Sequence, residues 1–223
     1  MNTIFRGDLG NWRGRARAWV DSLFVDHAVL RLVWTNFAVV VPGRLYRGNH
    51  PTPGRLAALR RRLGLKTIVN LRGKNKGGSD ALSREAAARL GLTLIDVPLR
   101  SRGAPARVSV LFLIDALRRM QEPAFIHCKS GADRAGLAAA IYLLLGGATV
   151  ATARRQLSVW HGHIPGGDTG ALGDFLLAYA RAGEGRIAFA DWVRDEYDPA
   201  ALDRARRGGG VARFVTDRVL RRE

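Results

Sequence analysis

The sequence predicts an α/β protein: a central, mainly parallel sheet flanked by helices. Three observations carry that prediction. Short β-rich runs alternate with helical patterns, each bounded by cap and stop residues. A chain of 223 residues with 47% hydrophobic and 25% charged side chains is long enough for one sizeable core. The apolar run at Ala124-Phe125-Ile126 passes through a Gly-bearing loop directly into a helical pattern. In sheets of this kind, sites form beyond the carboxyl ends of the strands.

Each element has its own signal. Phe37 to Tyr46 is a β-rich stretch. Thr52-Pro53 reads as cap and first helical residue of a helix to Leu63, stopped by Gly64. Lys66 to Leu71 reads as a buried strand, and the loop RGKNKGG leads to Ser79 or Asp80 as N-cap of a helix through Leu90. Gly91 stops that helix, and a strand follows from Leu92 to Leu99. After SRGAPA comes a helix from Val108 to Gln121 with Leu111, Ile114, Ala116 and Leu117 on its buried face, ended by Pro123. The run 124–126 enters His127-Cys128 and its loop, then a helix from Arg134 to Leu145 closed by Gly146-Gly147. Two further helices are expected, at Thr149 to Val159 and Thr169 to Ala182.

The alternation divides the chain into an N-terminal helical extension (1–36), a central domain (37–183) and a basic C-terminal extension (184–223). Trp12, Trp19 and Trp34, with four Arg between positions 6 and 17, suit an amphipathic helix on an anionic membrane or one packed on the domain or a second subunit. The last 24 residues hold seven Arg and three acids, read as a solvated tail or helix without chemistry.

The net charge is +17, and 32 of the 36 basic residues are Arg. Such a surface favours anionic partners, whether phosphorylated small molecules, phosphoproteins or an anionic membrane, unless the excess is compositional drift. No nucleic-acid-reading module is recognisable, so nucleic acid is not expected as a partner. A single cysteine, Cys128, excludes an intramolecular disulfide framework and any zinc site with more than one thiolate. His161-Gly162-His163 lacks a third ligand at recognisable spacing, so neither metal nor cofactor is expected. The N-terminus shows no secretory signal pattern, and the apolar stretch Ala28 to Val41, interrupted by Arg31, Thr35 and Asn36, is too short and polar to span a bilayer. A cytoplasmic protein, peripheral to membrane if the N-terminal segment binds one, is the expectation.

The chemistry concentrates in His127-Cys128-Lys129-Ser130-Gly131-Ala132-Asp133-Arg134, a thiol five residues before a guanidinium. If this loop curls, its backbone N–H groups converge on one centre and the following helix adds positive potential. Gly131 permits close approach and a positive φ. Arg134 can hold two phosphate oxygens bidentately. The same field favours a nucleophilic thiolate at Cys128.

His-Cys-x2-Gly-x2-Arg after a short apolar strand resembles the signature of the cysteine-dependent protein tyrosine and dual-specificity phosphatases. The resemblance runs from about Val39 to Tyr179, including VVVPGRLYRGNHPTPGRLAAL and QLSVWHGHIPGGDTGALGDFLLAY, which look like segments of bacterial members. It implies metal-free hydrolysis of phosphate monoesters through a phosphocysteine. Cys128 would be the nucleophile, Arg134 the transition-state clamp, and the N–H groups of Lys129, Ser130, Gly131, Ala132, Asp133 and Arg134 the phosphate cradle. The implied substrates are phosphorylated proteins or, as an alternative, phosphoinositides and inositol phosphates. A sulfurtransferase would not need Arg134, and a catalytically weak phosphate-binding module is a further alternative.

The chain departs from the family pattern in two places. The family commonly takes its general acid from an Asp on an upstream loop. Asp96, 32 residues before Cys128, fits the count but sits within LTLIDVPL, while Asp133 precedes the Arg as in lipid-phosphatase and myotubularin-like branches. Asp133 is the preferred acid and Asp96 the alternative. Ala135 stands where the family often has Ser or Thr, whose hydroxyl assists phosphocysteine breakdown, so burst kinetics are expected. Lys129 could receive a polyanionic substrate, whereas Lys74 and Lys76 read as solvated surface. Reversible oxidation of Cys128 is a further expectation.

Overall fold

Five short strands and ten helices build the protein in a computed structural model that describes residues 3–208. The strands are β1 (Ala38–Val41), β2 (Leu45–Asn49), β3 (Thr67–Asn70), β4 (Thr93–Asp96) and β5 (Ala124–Cys128). They form one sheet in the order β1-β2-β5-β3-β4, with β1 antiparallel to β2 and every other pair parallel. The β-rich stretch from Phe37 is thus a hairpin, turned at Pro42-Gly43, whose second strand runs on to Asn49. Cys128 ends the central strand, in register with Asn49 on one side, while His127 pairs with Asn70 on the other.

Alternation along the strands separates two apolar layers. Tyr46, Ile68 and Phe125 face Leu56 and Leu59 of α3 (Pro53–Leu63) and Ala86 and Ala87 of α4 (Gly78–Arg89). Leu45, Val69 and Ile126 face the larger core, which includes Leu113 and Leu117 of α5 (Arg107–Arg119) and Leu137 and Ile141 of α6 (Asp133–Leu145). Helix α6 is buried over most of its circumference, which its run of Ala and Leu allows.

The described parts of both extensions pack on this core, which shows no break at the boundary expected at residue 184. Helix α8 (Ala171–Ala182) brings Phe175 and Tyr179 against Phe189 and Trp192 of α9 (Phe189–Asp195), and Tyr197 closes the cluster. Phe189, Trp192, Val193 and Tyr197 sit at one-face helical spacing inside an Arg-rich segment, and burial of that stripe overrides the average composition. Helix α10 (Pro199–Arg207) follows, and Arg213, Arg218, Arg221 and Arg222 lie outside the described residues.

At the other end, α1 (Trp12–Val20) continues through a π-turn at Asp21–Val25 to α2 (Ala28–Val33). Helix α1 packs on α4 through fully buried Ala18, so the domain-packing alternative describes it. Asp21 Oδ2 accepts from the Gly78 N–H at 2.6 Å, and Ser22 Oγ meets Ser79 Oγ at 2.8 Å. This explains why α4 starts at Gly78 rather than after Ser79 or Asp80: its first amide is satisfied by a residue 57 positions away.

Regular pairing of β4 ends at Asp96, short of Leu99, although the Val97 and Leu99 N–H groups still donate to Asn70 O and Leu71 O at 3.0 and 3.2 Å. The helix expected from Thr149 is α only at α7 (Val150–Ala153) and continues as 3-10 turns at Arg154–Gln156 and Val159–His161. It breaks where Arg47 captures the Gln156 carbonyl. Among the described residues, no helix is long and apolar enough to cross a membrane, and no group of three or more His, Cys, Asp or Glu could hold a metal ion.

Candidate active site

The loop after β5 curls as its residue types require. Gly131 has φ +78°, and an added Cβ would lie 2.6 Å from the Gly48 carbonyl carbon, so no side chain fits. The Gly131 N–H points at Cys128 Sγ at 3.2 Å, and Cys128 is 2% exposed at the foot of the loop. Helix α6 begins at Asp133, so its N-terminal positive end adjoins the thiol. Arg134 Nε is buried without a hydrogen-bond partner, a donor available to an incoming anion.

What turns the N–H groups inward is visible on the opposite side of the peptide planes. Four successive loop carbonyls are each held by a donor from elsewhere. Lys129 O accepts from the His50 N–H at 3.4 Å, and Ser130 O from Asn36 Nδ2 at 3.0 Å. Gly131 O and Ala132 O both accept from Arg47 Nη2, at 2.7 and 3.0 Å. A peptide whose carbonyl is pinned outward presents its neighbouring amide inward, and such a nest of amides is an anion site.

Arg47 is fully buried on β2, facing α6. Its Nη1 donates to Gln156 O and Oε1. Burial pulls its pKa down to about 10, against the raising influence of Cys128 and Asp133, which leaves it a cation at neutral pH. Gly136 makes room for it: a Cβ there would fall 2.7 Å from Gln156 O and 3.3 Å from Arg47 Nη2. Asn36, at the left-handed φ of 46° that Asn tolerates, donates to both Ser130 O and His161 O and so ties the loop to the 3-10 turn at 159–161. Burial, and then the Arg47 charge, hold His161 below its usual range. The His127 ring packs edge-on to His50 at 4.6 Å.

The two candidate acids have different surroundings. Asp133 Oδ1 lies 2.7 Å from Nδ1 of buried His163, on the same loop end as Arg134. Asp96 accepts two hydrogen bonds from Arg84 Nη2, at 2.7 and 2.8 Å, and one from Asn70 at 2.9 Å. It sits level with His127 but two strands away, a lateral distance of about 10 Å at ordinary strand spacing. The fold thus groups Cys128, Lys129, Ser130, Gly131, Ala132, Asp133 and Arg134 and leaves Asp96 outside the group.

Arg47 and His163 carry no signal in the local sequence pattern beyond lying in stretches that resemble the phosphatases, and Asn36 lies just before those stretches. Lys74 and Lys76 are exposed. Lys129 is not free: its Nζ lies 3.5 Å from Asp26.

The sequence model of the family described as "DSP-PTPase phosphatase fused to NAD+ Kinase" matches residues 39–162, which contain the whole cradle and its pinning donors Arg47 and His50. The chain belongs to this phosphatase family. Solved structures similar to the phosphatase include a DUF442 protein of Shewanella putrefaciens CN-32, at 15% identity and a TM-score of 0.53 over 70% of this chain and 99% of that one. The Siw14 catalytic core from S. cerevisiae matches at 19% identity and a TM-score of 0.51, over 73% of the phosphatase and 95% of its own chain. PTPMT1 matches at 15% identity and 0.51, over 67% and 99%. These likenesses establish a shared fold. No curated protein matches the phosphatase in sequence.

Proposed function

We propose that the protein hydrolyses phosphate monoesters as a protein tyrosine or dual-specificity phosphatase, through a phosphocysteine. The observation that carries this reading is the cradle itself: a buried thiol facing the Gly131 N–H at 3.2 Å, with a buried, unpartnered Arg134 Nε at the start of α6. In the first step Cys128 thiolate attacks phosphorus, the bond to the leaving oxygen breaks, and that oxygen takes a proton. Asp133, beside Arg134, supplies the proton in preference to Asp96, which Arg84 and Asn70 engage. In the second step water attacks the phosphocysteine, its proton is taken up by the same carboxylate, and thiolate and inorganic phosphate are released. Backbone amides and Arg134 stabilise the equatorial oxygens in both.

Vanadate-sensitive hydrolysis of an aryl phosphate by the wild type, abolished in Cys128→Ser, is the expected result. Retention of activity in Cys128→Ser would overturn the reading, and phosphate binding without turnover in the wild type would make the protein a phosphate-binding module.

A second reading, a phosphoinositide or inositol-phosphate phosphatase working at an anionic membrane from the cytoplasm, is supported by one feature. Val33, Trp34, Val159, Trp160 and Ile164 are exposed apolar residues on the two segments that Asn36 joins beside the cradle, on a chain of net charge +17. Siw14 is described as a PP-IP phosphatase. Hydrolysis of phosphoinositides in anionic vesicles but not of phosphotyrosine peptides would favour it over the first.

A further inference from the structure

The carboxyl ends of β2, β3 and β5 bring three basic side chains together beside the cradle: His50, Arg72 and Lys129. Left alone they would form a second anion subsite next to the one that receives the reacting phosphoryl group. It is filled from within the chain. Asp26, delivered by the N-terminal extension, accepts from Arg72 Nη1 and Nη2 at 2.8 Å each, a bidentate pair with side chains 8% and 7% exposed. The same carboxylate lies 3.5 Å from Lys129 Nζ, whose side chain is 35% exposed. His50 Nδ1 completes the group by accepting from Arg72 Nη1 at 3.4 Å. A cavity lined by Asp26, Arg72, Lys76 and Ser79 opens alongside.

We propose that Asp26 is a specificity-determining residue. By occupying the Arg72 and Lys129 subsite it sets the enzyme against substrates that carry a second phosphoryl group next to the one in the cradle. The inference rests on the phosphatase reading above and narrows it to singly phosphorylated groups. The physical reason is direct: a second phosphoryl group arriving at Lys129 meets a fixed carboxylate 3.5 Å from the ammonium, which repels it and lowers the charge of the Arg72 and Lys129 pair from two to one.

The test compares inorganic phosphate and pyrophosphate as competitive inhibitors of aryl phosphate hydrolysis, reading the ratio of the two inhibition constants within each variant. Asp26→Asn keeps the side-chain shape and one acceptor for Arg72 while removing the charge. The expected result is a shift of the ratio in favour of pyrophosphate by about tenfold, the scale of one charge-assisted hydrogen bond. The double variant Asp26→Asn, Lys129→Gln should lose that gain. An unchanged ratio in folded Asp26→Asn overturns the proposal, and a gain that survives in the double variant overturns the part given to Lys129.

Should Asp26→Asn not fold, Lys129→Gln alone, at a partly exposed position, decides. It should shift the ratio against pyrophosphate by removing the remaining positive charge beside Asp26, and no shift overturns the proposal. If inorganic phosphate itself fails to compete in the wild type, the phosphatase reading falls, an outcome distinct from an unchanged ratio.

Discussion

Arg47 Nη2 and the Gly131 carbonyl oxygen are 2.7 Å apart, in a contact between residues 84 positions distant in sequence. Through it a fully buried cation on the second strand fixes the peptide plane that carries the Ala132 amide, next to the Ser130–Gly131 plane whose amide points at the nucleophile and whose carbonyl Asn36 holds. The same nitrogen reaches Ala132 O, so one guanidinium orients two of the four pinned carbonyls.

Replacing Arg47 should therefore damage catalysis beyond any loss of fold. Arg47→Met is expected to lower kcat/KM by about a hundredfold or more, as removal of oxyanion donors does. It should also weaken vanadate binding, with Arg47→Lys recovering part of both. Burst amplitude counts folded, active sites, so a purely structural role would reduce the amplitude while the remaining sites kept their vanadate affinity.

The proton donor can be assigned by pH-rate profiles with a poor leaving group. Asp133→Asn is expected to remove the basic limb, and His163→Asn to lower kcat with that poor leaving group while leaving KM for an activated aryl phosphate nearly unchanged, since His163 contacts and orients Asp133. Equal loss from Asp96→Asn alone would transfer the role to Asp96.

Ala135 is fully buried one residue beyond Arg134, where a hydroxyl would help water open the phosphocysteine. Rapid-quench measurements on the wild type should show one fast equivalent of leaving group followed by slower turnover. Ala135→Ser should diminish the burst by raising the second rate. Linear release from the first turnover in the wild type removes the basis for this expectation.

The C-terminal aromatic cluster gives a stability prediction. Trp192 is 3% exposed and packs on Phe175, Tyr179 and Tyr197. Trp192→Ala should cost about 3–5 kcal/mol in a urea unfolding midpoint. A chain ending at residue 183 should not fold cooperatively.

His161 provides a pH dependence of stability. Its folded pKa lies below the unfolded value of about 6.5. As pH falls past 6.5 the unfolded chain takes up the proton first, so stability declines from there until the pH passes below the folded value. His161→Gln should flatten the fall in thermal midpoint between pH 7 and pH 5, and an unaltered slope would count against it.

Much of the architecture was legible because its signals are local. Thr52-Pro53 starts α3 and Gly64 stops it. The apolar run before Cys128 is the central strand, and the Cys-to-Arg spacing places the thiol and guanidinium on one turn of loop and helix. What escaped was whatever depends on a distant partner. The start of α4 is set by Asp21, and the break near Gln156 by Arg47. Asp96 reads as a spacing match yet is engaged by Arg84. The Arg-rich composition after residue 184 masked the stripe of Phe189, Trp192, Val193 and Tyr197.

Residues 127–134 by themselves determined the expectation of an anion site over a thiol, because amides, Gly131 and Arg134 are close neighbours along the chain. Only the tertiary structure decided which way those peptides face and how much charge remains beside them. Asn36, Arg47 and His50 pull the carbonyls outward, and Asp26 pairs with Arg72 and lies beside Lys129, offsetting one of their two charges. These are contacts across the sheet and from the N-terminal extension, and no local pattern encodes a hydrogen bond between residues that meet only when strands and helices pack.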